Sequence, residues 1–351
     1  MIKESIKQLV EGYDLSYEDA CNVMKKIMSG ESTEAQISAV LTALRMKGET
    51  PSEISAFASV MRKFCRQINP KVRGRLVDTC GTGGDSLKTF NISTVSAIVA
   101  AGAGVNIAKH GNRSFTSKCG SADVLENLGV NLYLEPEEVE ESIEKIGIGF
   151  IYAPSFHPAM KYAVEPRRQL GIRTVFNVLG PLTNPASAEA QLLGVYDHKL
   201  TRPLAESLKI LGCEEAMVVH GLGGMDEIST LGETKISWLK DGEVNCKSFN
   251  PVDFGIKKTT HEAIKGSDVR ENSEIVYRIL NGHDNGPRTD IVLVNSMAGI
   301  IVSGKTDEMS HAIELAKESI ESGSAYGKLK DLVRQTGGNT RRLEELEKKH
   351  G

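Results

Sequence analysis

Apolar positions in residues 1–65 recur at helical spacing, and the residues between them are those that begin and end helices. Ile37, Val40, Leu41 and Leu44 fall on one helical face. Thr33-Glu34-Ala35-Gln36 and Thr50-Pro51-Ser52-Glu53 read as capping boxes, the second with proline at the first helical position, and Gly48 stands where a helix stops. A helical subdomain or a dimer face follows equally well from this pattern. From Val72 onward the pattern changes. Leu76-Val77, Val105-Asn106-Ile107-Ala108 and Gly149-Phe150-Ile151-Tyr152 are short apolar runs separated by helical stretches, which predicts an α/β fold with parallel strands. Residues 158–177 interrupt the alternation. Proline can start a helix but not sit inside one, so Pro166 predicts a short helix with Arg167 in its first turn, ending near Gly171. The α/β pattern resumes after Pro185 with apolar runs at residues 216–219 and 291–294 and a helix over residues 307–322. Residues 341–350 read as a charged helix with a solvated surface.

A chain of 351 residues is long enough for one large domain with a smaller companion and a core that needs no covalent staples. Its 42 Lys plus Arg against 46 Asp plus Glu, a formal charge of −4, give no global field for nucleic acid, so attraction for phosphate must be local. The six cysteines (Cys21, Cys65, Cys80, Cys119, Cys213, Cys246) include no C-x-x-C pair and no zinc-ligand spacing. Together with an N-terminus lacking an apolar leader core and the lack of any membrane-length apolar run, this predicts a cytoplasmic protein that binds neither membrane nor nucleic acid.

The chemistry concentrates in Asp78-Thr79-Cys80-Gly81-Thr82-Gly83-Gly84-Asp85, Asn91-Ile92-Ser93-Thr94 and Lys109-His110-Gly111-Asn112-Arg113. Glycines that tolerate positive φ can bring bare N–H groups against a ligand, and Ser93 and Thr94 open a small-residue stretch, residues 95–104, that reads as a helix whose N-terminus favours an anion. A strand, a glycine turn, hydroxyls at a helix start and a lysine after the next strand arrive in the order that a polyphosphate site needs. Lys88, Lys109, Arg113 and Lys118 supply local positive charge, or decorate a solvated loop. Asp226-Glu227, in Gly223-Gly224-Met225-Asp226-Glu227, are adjacent acids on a glycine loop, either surface residues or, with Ser93, oxygen ligands for a divalent metal. His110 reads as a polar loop residue or as a neutral imidazole that positions an acceptor or its proton. Arg167, near Arg168 and Arg173, covers a helix surface or pairs bidentately with an acceptor carboxylate. Cys80 and Cys119 have no histidine partner nearby in sequence and read as packing residues.

These motifs, together with Gly120-Ser121-Ala122-Asp123, His157-Pro158-Ala159-Met160 and the stretch Arg173-Thr174-Val175-Phe176-Asn177-Val178-Leu179-Gly180-Pro181-Leu182-Thr183-Asn184-Pro185, resemble the anthranilate phosphoribosyltransferase family over nearly the whole chain. The resemblance implies transfer of phosphoribosyl from phosphoribosyl pyrophosphate to the amino group of anthranilate, releasing pyrophosphate, in tryptophan biosynthesis, with magnesium as two ions. It implies donor contacts from Gly81, Gly84, Asp85, Thr89, Asn91, Ile92, Ser93, Thr94, Lys109, His110, Gly111, Asn112, Arg113, Ser114, Phe115, Thr116, Ser117 and Ser121. Metal would be held by Ser93, Asp226 and Glu227, and anthranilate would meet Gly81, Asn112 and Arg167. The implied fold is a small all-helical domain (residues 1–70 and 158–187) plus a larger α/β domain (71–157 and 188–351) with a central, mostly parallel sheet of the nucleoside phosphorylase/phosphoribosyltransferase type. A homodimer through the helical domain is implied as well.

Two positions depart from the family pattern. Cys119 stands where serine is usual, which puts a phosphate contact from that side chain in doubt, and Gly-Gly-Met precedes Asp226 where Asp-Gly-Leu is familiar. Pyrimidine nucleoside phosphorylases share this kind of fold, but their glycine-loop and base-site patterns differ from residues 109–113 and 177–185. A nucleic-acid-binding relative would need a basic groove that the acidic balance does not supply. The ordinary phosphoribosyltransferase class would carry paired acids directly after a strand and before a small-residue phosphate loop, unlike Asp226-Glu227.

Overall fold

The computed structural model describes residues 2–84, 87–113 and 119–350. The helical opening comprises α1 (Ile2–Val10), α2 (Tyr17–Met28), α3 (Glu34–Lys47) and α4 (Pro51–Phe64). Both capping boxes form, and Gly48 ends α3 at φ +91°. Glu53 does more than cap. Its side chain is fully buried and accepts from the N–H groups of Thr50 and Leu15, both at 2.9 Å, and from Lys47 Nζ at 2.9 Å. One carboxylate thereby ties the turn before α2 and the end of α3 to the start of α4.

The α/β part begins with β1 (Leu76–Gly81), α5 (Ile92–Gly102), β2 (Asn106–Gly111), α6 (Ser121–Asn127), α7 (Pro136–Ile146) and β3 (Ile148–Tyr152). A return passage of short helices follows, α8 (Ala153–Phe156), α9 (Lys161–Leu170) and α10 (Phe176–Leu179). The chain then forms β4 (Ala190–Gly194), α11 (Thr201–Ile210), β5 (Glu215–Gly221) and the hairpin β6 (Thr234–Lys240) and β7 (Glu243–Phe249). Five helices close it: α12 (Val269–Leu280), α13 (Pro287–Val302), α14 (Met309–Glu321), α15 (Ser324–Gln335) and α16 (Arg341–His350).

The strands make one sheet in the order β3-β2-β1-β4-β5-β6-β7, parallel from β3 to β5 and antiparallel at the β6–β7 edge. The chain moves outward from β1 to β3 and then returns to lie on the other side of β1. That reversal puts a topological switch point between β1 and β4, whose carboxyl ends diverge into loops and leave a crevice for a ligand. One face of the sheet, with Val77, Ile107, Leu192 and Val219, packs on α5, α12 and α13. The other face, with Leu193, Ala216 and Val218, shares its core with α1 to α4 and α11.

Three sequence expectations need correction. Residues 291–294 lie inside α13, which is apolar all round because it is enclosed; Pro287 at its first turn was the sign of a helix that a short apolar run does not carry. Helix α9 starts at Lys161, following a 3₁₀ turn at Pro158–Met160, so Pro166 is internal and Arg167 lies in the last turn. Proline there forgoes one hydrogen bond, at a cost of about 3 kcal/mol that packing must offset. Helix α16 is docked: Leu343 is buried, Tyr326 donates to Glu347, and Glu274 pairs with Lys349 and His350.

Glu53→Ala removes a buried carboxylate that accepts four hydrogen bonds and leaves the Leu15 and Thr50 N–H groups unpaired, so it should lose about 3–5 kcal/mol of stability. Urea unfolding monitored by circular dichroism checks this, and a loss below about 1 kcal/mol, typical of an exposed cap, would mean that Glu53 acts only as a cap.

Candidate active site

Alternation along β1 and β2 sorts the candidate residues onto two faces. Thr79 and Lys109 share the face covered by α5, while Asp78 and His110 point to the opposite face. On the first face, Lys109 Nζ donates to the Thr79 carbonyl at 2.5 Å and reaches Ser93 Oγ at 3.4 Å. Burial lowers the Lys109 pKa, opposed by Asp78 and Glu227. Ser93 and Thr94 lie in the first turn of α5, where the cap residue Asn91 makes no side-chain cap; the Ile92 and Thr94 N–H groups donate to the Phe90 and Asn91 carbonyls, and the Ser93 N–H has no backbone acceptor among the described residues. Thr94 Oγ1 is buried with no hydrogen-bond partner among the described residues.

The glycine turn and the acidic loop meet at the switch point. Gly81 and Gly194 are register partners at the ends of β1 and β4, and a Cβ on either would collide with Asp226. Only glycine lets the acidic loop lie this close across both strand ends. Gly83, at φ +66°, donates its N–H to Asp226 Oδ2 at 3.0 Å. Gly223 and Gly224 turn the acidic loop at φ +88° and +85°, and fully buried Met225 anchors it. Met therefore serves as the apolar pin at the position where the family pattern has leucine. Burial raises the Asp226 pKa, against the Gly83 hydrogen bond and its own backbone. Two adjacent carboxylates beside a glycine turn are hard oxygen donors, which suit a small divalent cation.

The opposite face holds His110. The structure places it within β2, not in a loop. Its backbone N–H donates to Asp78 Oδ1 at 3.1 Å, and its Nε2 lies 3.2 Å from His157 Nε2. Burial, then His157, pushes the His110 pKa well below its ordinary value, and burial brings His157 down to about 4. Two neutral rings can share one N–H between their Nε2 atoms; two charged rings could not sit so close. Burial lifts Asp78 to about 6 against the pull of Lys109. Asn184 donates to the Ala108 carbonyl at 2.8 Å, tying the return passage to β2.

Arg167 is half-buried with its guanidinium 5.2 Å above the Phe176 ring, and no ion pair engages it among the described residues. Arg173 is exposed but engaged. Its guanidinium stacks 4.0 Å from the Tyr196 ring and donates to the Gly84 carbonyl at 3.0 Å, joining the return passage to the glycine turn.

Other predicted residues are placed differently. Arg113 points to α6, where it pairs with Asp123 at 2.9 Å and Glu126 at 2.8 Å, so its charge is already satisfied away from the glycine turn. Asn112 accepts, through its backbone carbonyl, from Ser121 Oγ at 3.3 Å, which holds the start of α6 against the end of β2. Gly111 ends β2, and Ile92 is fully buried beneath the start of α5. Thr89 forms an isolated bridge with Lys265. Cys119 is a neutral thiol, its pKa pushed up to about 11 by burial, that donates to Asn91 Oδ1 at 3.4 Å. Asp85, Ser114, Phe115, Thr116 and Ser117 lie outside the described residues. Sequence reasoning missed Gly194, Asn184, His157 as the partner of His110, and Arg173; the last three lie in stretches that stood out only by family resemblance.

Comparison with known proteins gives the family. Residues 73–326 match the glycosyl transferase family, a/b domain, and residues 3–65 match the glycosyl transferase family, helical bundle domain. An anthranilate phosphoribosyltransferase of Methanocorpusculum labreanum is 53% identical over 96% of this chain and 99% of its own. The chain belongs to the anthranilate phosphoribosyltransferase family. The Thermus thermophilus family member is 42% identical and superimposes with a TM-score of 0.89, covering 94% of this chain and 98% of that one. The Saccharomyces cerevisiae enzyme, solved in complex with PRPP and Mg, is 29% identical with a TM-score of 0.87 over 96% of this chain and 98% of that one. The same yeast enzyme has been solved with 4-fluoroanthranilate.

The histidine pair makes a pH prediction. Both folded-state values lie below the unfolded value near 6.5, so as pH falls below about 6.5 the unfolded chain gains protons that the native chain refuses, and stability is lost down to about pH 4 for His157. Asp78, raised to about 6, acts in the opposite sense over an overlapping range. The difference between wild type and His157→Gln isolates the histidine: the variant should show a shallower loss of unfolding free energy between pH 6.5 and 4. Parallel curves would mean that His157 takes up its proton as readily in the native state as in the unfolded chain.

Proposed function

We propose that the chain transfers phosphoribosyl from phosphoribosyl pyrophosphate to the amine of anthranilate, with the donor on the α5 face of the switch point and the acceptor on the opposite, helical side. The observation that carries this reading is the convergence of the glycine turn, the α5 N-terminus with Ser93 and Lys109, and the Asp226-Glu227 loop at the carboxyl ends of β1, β2 and β4. Lys109 has a third N–H beyond those directed at Thr79 and Ser93 among the described residues, which suits one diphosphate oxygen. Gly81, Gly84, Thr89, Asn91, Ser93, Thr94 and Ser121 line the same side, and Asp85 and the 114–117 stretch are assigned to the donor on sequence grounds.

Magnesium fits the oxygen set of Ser93, Asp226 and Glu227, and we assign two ions to it. When bound, the metal neutralises diphosphate charge and so favours its departure. Departure leaves an oxocarbenium-like sugar, the C–O bond to pyrophosphate breaking as the C–N bond to the amine forms, and no covalent enzyme intermediate is needed. The chain's own task is placement. The half-buried Arg167 guanidinium suits the anthranilate carboxylate bidentately, and Asn112 and Gly81 border the path between the two substrates. His110, held neutral beside His157, positions the acceptor without adding positive charge.

The helical unit is assigned to residues 1–70 and 158–187. Val10, Tyr13 and Met46 are exposed apolar residues of its surface, and we assign a homodimer to this unit. No helix among the described residues is long and apolar enough to cross a membrane. The same reading puts the enzyme in the cytoplasm, where its six free thiols stay reduced.

Decay of anthranilate fluorescence tests the reaction. Wild type should consume it only with phosphoribosyl pyrophosphate and magnesium and stop with EDTA; donor-independent decay, or none, would remove the assignment. Arg167→Ala should raise the acceptor KM by about 10-fold or more, the worth of a charge-assisted pair, with donor KM little changed. An equal rise in both would make Arg167 structural.

A further inference from the structure

The stretch just past the glycine turn is gripped from outside by a segment that no motif marked. His261 Nε2 donates to the Leu87 carbonyl, and the Gly266 N–H donates to the Lys88 carbonyl at 3.0 Å. Lys265 then bridges Thr89, and Asn272 Nδ2 donates to Asn91 Oδ1 at 3.2 Å. Contacts thus fall on four of the five residues between 87 and 91. They come from the 3₁₀ turn His261–Ile264, the link at Lys265 and Gly266 that follows it, and the first turn of α12. The approach is tight: a Cβ on Gly266 would lie 2.6 Å from both the Phe90 nitrogen and the Thr89 carbonyl oxygen. Backbone cannot move aside as a flexible side chain would, so Gly266 is fixed by this contact.

The orientation of Asn91 follows from the same segment. Ser267 N–H donates to Asn272 Oδ1 at 2.8 Å, and a backbone N–H can only donate, so that oxygen is assigned without ambiguity. The Asn272 amide must then present its NH₂ group to Asn91, and Asn91 must answer with its oxygen. The Cys119 thiol donates to that same oxygen at 3.4 Å. The Asn91 NH₂ group is turned away from Asn272; one N–H is directed at the Cys119 carbonyl at 3.4 Å, and the second is left as a donor. Asn272 is 2% exposed, so water does not compete for this relay.

We infer that residues 261–272 are a strap that sets the conformation of residues 87–91, and that Asn272 and His261 are positioning residues for the phosphoribosyl donor, with Asn272 fixing Asn91 as a hydrogen-bond donor to it. The inference rests on the assignment of Asn91 to the donor site above. Neither strap side chain touches the acceptor side, so the effect is confined to one substrate.

Calorimetric titration of phosphoribosyl pyrophosphate with magnesium, alongside steady-state kinetics and melting temperature, tests the strap in His261→Ala, His261→Gln and Asn272→Asp. Wild-type turnover is measured first; its failure overturns the reaction, not the strap. In a working enzyme His261→Ala should weaken donor binding and raise donor KM by about five- to tenfold, the worth of one hydrogen bond, with acceptor KM and melting temperature close to wild type. His261→Gln, which keeps an N–H donor, should restore much of the loss. Asn272→Asp sets a carboxylate oxygen against Asn91 Oδ1 and should weaken the donor further. Donor affinity unchanged in both His261→Ala and Asn272→Asp would overturn the inference. So would donor and acceptor KM shifting together with a fall in melting temperature, the signature of a merely structural element. Should Asn272→Asp fail to fold, the His261 pair decides alone.

Discussion

The architecture turns on one close approach: the Asp226 loop lies directly across the ends of β1 and β4, at the point where the strand order reverses. Gly81 and Gly194 make this possible, since a Cβ at either would occupy the space of Asp226. A carboxylate placed there meets the Gly83 N–H, which joins the acidic loop to the glycine turn. Parallel strands deliver their carboxyl ends together, and the switch point opens the crevice between them. Without those two glycines the acids would stand apart from the turn they complete.

Period-two alternation then divides the labour. Lys109 and His110 are neighbours in sequence yet serve opposite faces of the sheet. Lys109 turns to the α5 side, where an anion gains from a helix N-terminus and a buried ammonium. His110 turns to the helical side, where burial keeps it neutral against His157. A reaction that joins a highly charged donor to a flat aromatic acceptor benefits from this division. In the proposed reading each substrate has its own electrostatic environment. Arg173, reaching from the helical side to the Gly84 carbonyl, is a physical link between the two faces.

Local signals were legible where the physics is local. The capping boxes at Thr33 and Thr50, the glycine turn, the start of α5 and the charged helix at residues 341–350 are each set by residues within a few positions of one another. The apolar run at residues 291–294 was misleading because enclosure on all sides erases the periodicity that distinguishes a buried helix from a buried strand. Pro166 was misleading because packing overrides a helix breaker in a short helix. At the site, glycines, hydroxyls, Lys109 and the acid pair carried their own chemistry in their spacing. The pairing of His110 with His157 and the collision constraint at Gly194 depend on residues that the fold brings together from afar. No window along the chain contains them.

In the proposed reading donor and acceptor occupy opposite faces of the sheet and meet at the β1–β4 switch point. The most direct measurement is a crystal structure of the wild-type enzyme with phosphoribosyl pyrophosphate, magnesium and an unreactive anthranilate analogue. The account predicts the diphosphate over the glycine turn and the α5 N-terminus, close to Lys109 and the Asp226-Glu227 loop, with the aromatic carboxylate at Arg167. A diphosphate bound on the His110–His157 side, or an analogue seated against Lys109, would contradict it.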